Sequence, residues 1–230
     1  MTTGKTPERP VTVRPLTPAR WPDLEALFGA RGACAGCWCM FWRQTQSEFL
    51  RLKGEGNRRS FRQLVESGAN PGLIAYAGRT PVGWCALAPR EDYTRLERSR
   101  ILAPVDDTPV WSVVCFFVAW QHRRRGITTA LLRAAGEYAK RRGARILEGY
   151  PVEPAKGPVP DVFVYTGIAS AFRAAGFEEA ARRSKTRPIM RLALVPEPGR
   201  RARVRAGAGR RGSSPARGRA PKGARSTRRG

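Results

Sequence analysis

Residues 111–132 constrain the fold more than any other stretch, because an apolar run there meets an arginine cluster, one glycine and a helical pattern. Residues 111–118 are rich in Val, Phe and Trp without alternating polar positions, which predicts a central strand buried on both faces. Apolar residues then recur at helical spacing up to Gly143, a residue typical of a left-handed helix cap. The pattern predicts a helix over 127–142 that follows the strand after a tight turn.

The turn between this strand and helix has the composition of an anion site. It contains His122, three successive arginines and Gly126. Main-chain N–H groups at a helix N-terminus attract phosphate, guanidinium groups add charge-assisted hydrogen bonds, and glycine lets a ligand approach the backbone. The turn therefore predicts a pyrophosphate site, and a solvated basic turn in a basic protein is the alternative interpretation.

The same turn resembles the signature of the GNAT family of N-acetyltransferases, which reads Gln or Arg, two residues, Gly, one residue, then Gly or Ala. Residues 123–128 occupy it in order, with departures at Arg124, where glycine is common, and at Thr128, which replaces the final Gly or Ala. In that family the turn binds the pyrophosphate of acetyl-CoA. The resemblance implies acetyl-CoA as co-substrate, with these contact residues: Phe117, Val118, Arg123, Arg124, Arg125, Gly126, Ile127, Thr128 and Thr129.

The order of the other predicted elements extends the resemblance. A Thr17–Pro18 pair is typical of a helix start, and the turn at 78–81 predicts a hairpin. Strands are predicted at 11–14, 73–77, 82–88, 145–150 and 189–195, and helices at 17–28, 60–67 and 168–175. The resemblance implies the GNAT acyl-CoA N-acyltransferase fold of the α/β class (α+β type). This is a mixed, mostly antiparallel sheet flanked by helices, whose central parallel strands splay apart to admit the cofactor.

Composition divides the chain into a predicted domain over 1–195 and a predicted disordered basic tail over 196–230. The tail holds 12 of the 43 Lys and Arg residues, a single acid, Glu197, and almost no large apolar side chains. Such a segment cannot bury enough surface to offset the entropy of ordering. A polycation attracts nucleic acid without reading its sequence. Non-specific nucleic-acid contact and a tail without any partner are the two interpretations.

We expect a cytoplasmic protein without a membrane partner. No apolar run approaches the length that spans a bilayer, and the first residues lack the apolar segment of a signal peptide. The sequence does not predict the oligomeric state.

Cys34, Cys37 and Cys39 form a C-x-x-C-x-C cluster. Three thiolates at this spacing bind zinc or an iron-sulfur cluster only when a fourth ligand is supplied from elsewhere in the fold. The favoured interpretation is a substrate-side loop in which the cysteines pack as small apolar residues, so no metal is predicted. In GNAT enzymes this segment shapes the acceptor pocket. The resemblance therefore makes Trp38 and Trp42 the candidate acceptor contacts, on one face if the segment is helical.

Acetyl transfer to an amine needs a base, an oxyanion stabiliser and an acid for the departing thiolate. The resemblance implies a main-chain N–H near Phe117 or Val118 as the oxyanion contact. It also implies a tyrosine acid at the position of Phe172, which has no hydroxyl. Tyr165 is the candidate acid if its loop folds back towards the cleft, and Tyr150 is the alternative.

Glu148, on the strand beside the cleft, is the first candidate for the base, and Glu153 is the second. Both are equally open to interpretation as ion-pair partners of arginines. The single histidine, His122, is interpreted as structural or as a weak phosphate contact. The predicted function is N-acetyl transfer from acetyl-CoA to an amine on a small molecule, a peptide or a protein. The alternative is a catalytically weak or inactive protein of the same fold that associates with nucleic acid through its tail.

Overall fold

The computed structural model describes residues 10–154, 160 and 163–194. The predicted basic tail and Val195, at the end of the last predicted strand, lie outside these residues. The tail and its contact with nucleic acid therefore stay predictions. Within the described ranges, none of the helices is both long enough and apolar enough to cross a bilayer.

In the part of the chain that the structure describes, seven strands form one sheet in the order β1-β2-β3-β4-β5-β7-β6. All neighbouring pairs are antiparallel except β4 and β5, which are parallel. This mixed, mostly antiparallel sheet confirms the predicted fold class. The strands are β1 Val11–Pro15, β2 Gly72–Ala77, β3 Thr80–Pro89, β4 Trp111–Val118, β5 Ile146–Gly149, β6 Glu178–Arg182 and β7 Pro188–Ala193.

Helices cover both faces of the sheet. The core on one face includes Trp21 and Phe28 of the first helix and Phe61 of the third. The core on the other face includes Leu131 of the fifth helix and Phe172 of the sixth. The helices are α1 Trp21–Phe28, α2 Gln46–Leu52, α3 Glu55–Glu66, α4 Thr94–Glu97, α5 Ile127–Arg141 and α6 Ala169–Ala174.

The predicted strand, turn and helix at the centre of the chain are confirmed. β4 spans residues 111–118 and lies between β3 and β5, and α5 ends one residue before the predicted limit. The predicted start of the first helix is wrong in detail. Thr17 makes no side-chain capping bond, residues 18–20 form a short 3-10 turn, and α1 begins at Trp21. The pattern missed α2, α4 and the edge strand β6.

β4 and β5 separate after a short parallel ladder. They pair only from Trp111 to Val113 on β4, opposite Leu147 to Gly149 on β5. β4 then continues to Val118, whereas β5 ends at Gly149. The far half of β4 therefore has one edge that no strand of the described sheet covers, which places a gap in the middle of the sheet as the resemblance implies.

Candidate functional site

A cavity of about 880 Å³ lies along the uncovered part of β4. It extends from the start of α5 to the loop between α1 and α2, and residues 163–171 close another side. Of the nine predicted cofactor contacts, all but Arg125 line it. The structure therefore brings three parts together around one space: the turn at 122–126, below called the phosphate turn, the open edge of β4, and the cysteine-containing loop.

The phosphate turn ends in Gly126, which has left-handed backbone angles (φ 72°, ψ 6°) and is the N-cap of α5. Its carbonyl accepts the first helical hydrogen bond, from Ala130. The N–H groups of Ile127, Thr128 and Thr129 precede that bond, so they lack acceptors within the helix. A Cβ built on Gly126 meets no atom within 4 Å. An anion can therefore approach this helix end without displacing protein atoms.

Arg124 adopts a left-handed conformation with φ 59°. This angle is costly for a residue with a Cβ and free for glycine, which gives a physical reason why glycine is common at this position. Arg123 contacts the preceding strand: its Nε donates to the Val118 carbonyl oxygen at 3.2 Å. The Arg123 guanidinium thus ties the turn to the end of β4.

The main-chain N–H groups of the two predicted strand contacts, Phe117 and Val118, point to opposite edges of β4. Ala119 donates its N–H to Val82 of β3, whereas Phe116 donates to the Tyr165 carbonyl at 2.6 Å on the opposite edge. Successive N–H groups of a strand alternate between edges. The N–H of Val118 consequently faces the gap, and that of Phe117 faces β3. Phe117 contributes its side chain to the cavity and packs edge-on against Phe28.

Tyr165 lies at the cavity, because its loop folds back onto β4 through the bond from Phe116. Burial raises the pKa of the phenol above its ordinary value. Tyr165 is therefore a neutral hydrogen-bond donor at physiological pH.

Phe172, at the position of the family's tyrosine acid, and Tyr150, the alternative acid, both lie in the protein interior. Phe172 is fully buried against Phe116 and Phe177. Tyr150 is also buried and does not line the cavity; its hydroxyl donates to Glu148 at 2.7 Å and lies 2.9 Å from the Ser112 hydroxyl. Of the two tyrosines considered from the sequence, only Tyr165 meets the cavity.

Glu148 lies on β5, where it pairs with β4; its side chain is fully buried and does not line the cavity. Its Oε1 accepts from Arg90 Nη1 at 3.2 Å and its Oε2 accepts from Arg191 Nε at 2.7 Å. Arg90 is itself buried and also donates to the Tyr150 hydroxyl at 2.7 Å. Both oxygens of this candidate base are therefore committed to guanidinium groups. The sequence pattern does not indicate either arginine as a partner, because each is far from Glu148 in the chain.

Glu153, the second candidate base, is bound between Arg173 and Arg182 on the outside of the sheet. Hydrogen bonds from these two arginines lower the pKa of the Glu153 carboxyl. A carboxylate stabilised in this way is a weak base, and the structure places it outside the cavity lining.

The loop between α1 and α2 is not helical, so Trp38 and Trp42 do not share a face. Trp38 and Cys39 have positive φ angles of 42° and 54°. Trp38 turns into the core, where it stacks on Trp21 with ring centroids 6.0 Å apart. Trp42 lines the cavity. The structure therefore separates the predicted pair of acceptor contacts and leaves Trp42 at the site.

Trp42 belongs to an aromatic wall made of Phe41, Trp42, Phe49, Phe163 and Tyr165. Phe41 makes edge-on contacts with Trp42 and Phe49, in each case with ring centroids 5.4 Å apart. Phe49 and Phe163 were not predicted. Phe49 lies on α2, whose capping box at Thr45 and Glu48 is a readable sequence signal for the helix but not for its contact with the site.

The three cysteines of the cluster differ in exposure. Cys34 is exposed, Cys37 is half-buried, and Cys39 is buried with its Sγ 3.9 Å from the Cys115 Sγ. Burial raises the pKa of Cys37 to about 11, and the hydrogen bond with Cys115, together with burial, raises that of Cys39. In the described ranges, no group of three His, Cys, Asp or Glu side chains is placed to hold a metal ion. Cys37 and Cys39 are therefore protonated thiols of the cavity lining.

Comparisons with family models and with solved structures identify the proteins to which the chain is similar. The sequence profile of the acetyltransferase (GNAT) family matches residues 38–154, just over half of the chain. No curated protein matches the chain significantly. Among solved structures, the chain is similar to PaiA N-acetyltransferase from Thermoplasma acidophilum in complex with coenzyme A, at 15% identity over 80% of this chain and 99% of that one, with a TM-score of 0.45.

Two further solved structures are similar to this chain at the same low level. YncA from Salmonella typhimurium, solved with its cofactor acetyl-CoA, is 15% identical over 84% of this chain and 98% of that one, with a TM-score of 0.45. A GCN5-related N-acetyltransferase from Kribbella flavida is 16% identical over 75% of this chain, with a TM-score of 0.42, and this chain spans 34% of its length.

Proposed function

The chain belongs to the acetyltransferase (GNAT) family, and from that premise we propose that it transfers an acetyl group from acetyl-CoA directly to an amine held against the aromatic wall. Acyl transfer from acetyl-CoA is the activity of the family. The transfer to an amine at the aromatic wall is supported by one continuous cavity that joins the phosphate turn, the open edge of β4 and the aromatic wall.

The residues present fit acetyl-CoA. The N–H groups of Ile127, Thr128 and Thr129 and the open space at Gly126 suit a diphosphate. The edge of β4 beyond Phe116, where the N–H of Val118 faces the gap, suits the amide-containing arm. Bound there, acetyl-CoA supplies a thioester whose carbonyl carbon is open to attack by an amine.

Tyr165 and the aromatic wall act at the other end of the cavity. Tyr165 is neutral and holds the phenol proton. It donates a hydrogen bond to the departing sulfur and then transfers this proton to it. The rings exclude water, which strengthens that hydrogen bond and limits hydrolysis of the thioester. We assign Glu148 no proton transfer. Its contacts make it an ionic anchor that holds β5 and β7 to the segment around Arg90.

Tyr165→Phe tests the proposed acid. We expect kcat for acetyl transfer to fall on the order of 10²-fold, because the departing sulfur loses its donor, with little change in KM for acetyl-CoA. The measurement is the steady-state rate of amine-dependent CoA release, with the acetylated amine quantified by chromatography.

Tyr150→Phe is the matched control, since it removes a hydroxyl from the other candidate tyrosine. That hydroxyl bonds to Glu148, Arg90 and Ser112, so its loss should lower the free energy of unfolding by about 1–3 kcal/mol. The folded control should keep near-normal kcat. A rate loss in Tyr150→Phe together with unchanged turnover in Tyr165→Phe would contradict the assignment.

A further inference from the structure

We infer that the acceptor is an amine that is uncharged at neutral pH and attached to a flat apolar body, as in the arylamine class, and not a polyamine or another aliphatic ammonium. This inference rests on the proposed function and names its substrate class. Four features of the described cavity carry it: the connected rings, an acceptor side without a carboxylate, a guanidinium already bound to two of the rings, and the lack of an available base on the acceptor side.

The aromatic wall presents rings that touch one another and still face the cavity. Tyr165 lies near Phe41 and Trp42, with ring centroids 6.3 and 6.5 Å apart. Phe163, at 60% exposure, and the half-buried Phe49 extend the surface towards solvent. Clustered rings bind a flat apolar ligand by edge and face contacts that an aliphatic chain does not reproduce.

The acceptor side of the cavity carries no negative charge among the residues that the structure describes. None of the described lining residues is an Asp or Glu, and Glu148 and Glu153 are bound by arginines elsewhere. Cys37 and Cys39 are protonated, since their pKa values are raised. An ammonium ion that enters this space loses its hydration and gains no anionic partner.

A guanidinium already lies over two rings of the aromatic wall. The Cζ of Arg95 lies 4.0 Å from the ring centroid of Phe41 and 5.7 Å from that of Phe49. Its Nε donates to the Gln44 carbonyl at 3.0 Å and its Nη1 to Gln46 Oε1 at 2.9 Å, which hold it in place. The wall thus presents a positive charge behind its rings, which repels a second cation.

A neutral acceptor also removes the need for a base before attack. The amine nitrogen forms its bond to the thioester carbon, the carbon–sulfur bond breaks, and the sulfur leaves as thiolate. The thiolate takes the phenol proton of Tyr165, the nitrogen releases its proton to water, and Tyr165 regains a proton from water, so the products are the N-acetyl amine and CoA. Apart from Arg123 and Arg124, the titratable groups in the described lining are thiols, Tyr165 and His122, which lies at the phosphate turn. This set suits an acceptor that arrives deprotonated.

The test compares aniline with cyclohexylamine, two six-membered-ring amines of which only the second is protonated at neutral pH. With the full chain and saturating acetyl-CoA, kcat/KM for aniline should exceed that for cyclohexylamine and for spermidine by at least about tenfold at pH 7. The aniline rate should also stay nearly constant between about pH 6 and pH 9. Equal or better use of cyclohexylamine or spermidine overturns the inference.

Arg95→Met supplies a second readout, because it keeps an apolar side chain under the rings and removes the charge. The preference for aniline over cyclohexylamine should shrink several-fold. Arg98→Met, an exposed position just after the same short helix, should leave it unchanged. An unaltered preference in folded Arg95→Met contradicts the role of the guanidinium. Failure of the proposed function looks different, since no amine of any class would then yield an N-acetyl product.

Discussion

Gly126→Glu is expected to abolish CoA binding, with a loss of affinity of at least about 100-fold. Gly126 lies directly before the free N–H groups of α5, and a side chain there extends into open space. A carboxylate at this point meets the diphosphate at close range. Two like charges about 4 Å apart repel by about 4 kcal/mol near a protein surface, which corresponds to roughly three orders of magnitude in affinity. Titration calorimetry with CoA measures the loss.

Gly126→Gln is the matched control for this prediction. It introduces a side chain of the same size at the same left-handed position, with a similar conformational cost of about 1 kcal/mol, but no charge. Its CoA affinity should therefore lie well above that of Gly126→Glu. Circular dichroism and the melting temperature establish that both variants fold. Wild-type affinity in folded Gly126→Glu would show that the diphosphate binds elsewhere.

The second large effect is expected on stability. Glu148→Ala should lower the free energy of unfolding by about 3–5 kcal/mol, because it leaves the guanidinium groups of Arg90 and Arg191 without their shared carboxylate. Arg90 is buried, so water does not replace the lost partner. Denaturant unfolding followed by tryptophan fluorescence measures the change.

Glu153→Ala is a stringent comparison for Glu148→Ala. Glu153 also lies between two arginines, but its side chain is 30% exposed, whereas that of Glu148 is 0% exposed. Exposed ion pairs are screened by water, so the loss of stability should be much smaller. Equal losses of unfolding free energy in the two variants would show that burial of the carboxylate does not determine its contribution, and the role of Glu148 as a buried ionic anchor would then be wrong.

A conservative variant separates an anchor from a base at the same position. Glu148→Gln retains the shape and one acceptor oxygen, so it should lower stability less than Glu148→Ala while kcat of the folded enzyme changes little. A general base predicts the reverse, with near-normal stability and a kcat reduced by about 10²-fold or more. The pair of measurements therefore decides between the role inferred from the sequence and the role inferred from the contacts.

The strand, turn and helix around Gly126 were predictable because each signal is local. The apolar run of β4, the glycine and the helical spacing of α5 all lie within residues 111–143 and agree with one another. The gap beside β4 was implied by the family resemblance. The left-handed angle of Arg124 was not predictable from the residue type, because the turn imposes it.

The contacts made across the fold could not be read from the sequence. Glu148 and Arg191 meet only because β5 pairs with β7 in one register. β6, residues 178–182, has the composition of a helix and becomes a strand by pairing with β7 at the sheet edge. Trp38 enters the core because its loop is not helical. Tyr165 reaches the cavity through a main-chain bond that no side-chain pattern reports.

The most direct test of the central proposal is an NMR titration of isotope-labelled protein with CoA. Binding of the diphosphate by the end of α5 predicts saturable shifts of the main-chain amide signals of Gly126, Ile127, Thr128 and Thr129. It also predicts a shift for Val118 at the edge of β4, whereas pyrophosphate alone should move only the first group. Saturation with CoA that leaves those five amide signals in place while others move would contradict the proposal.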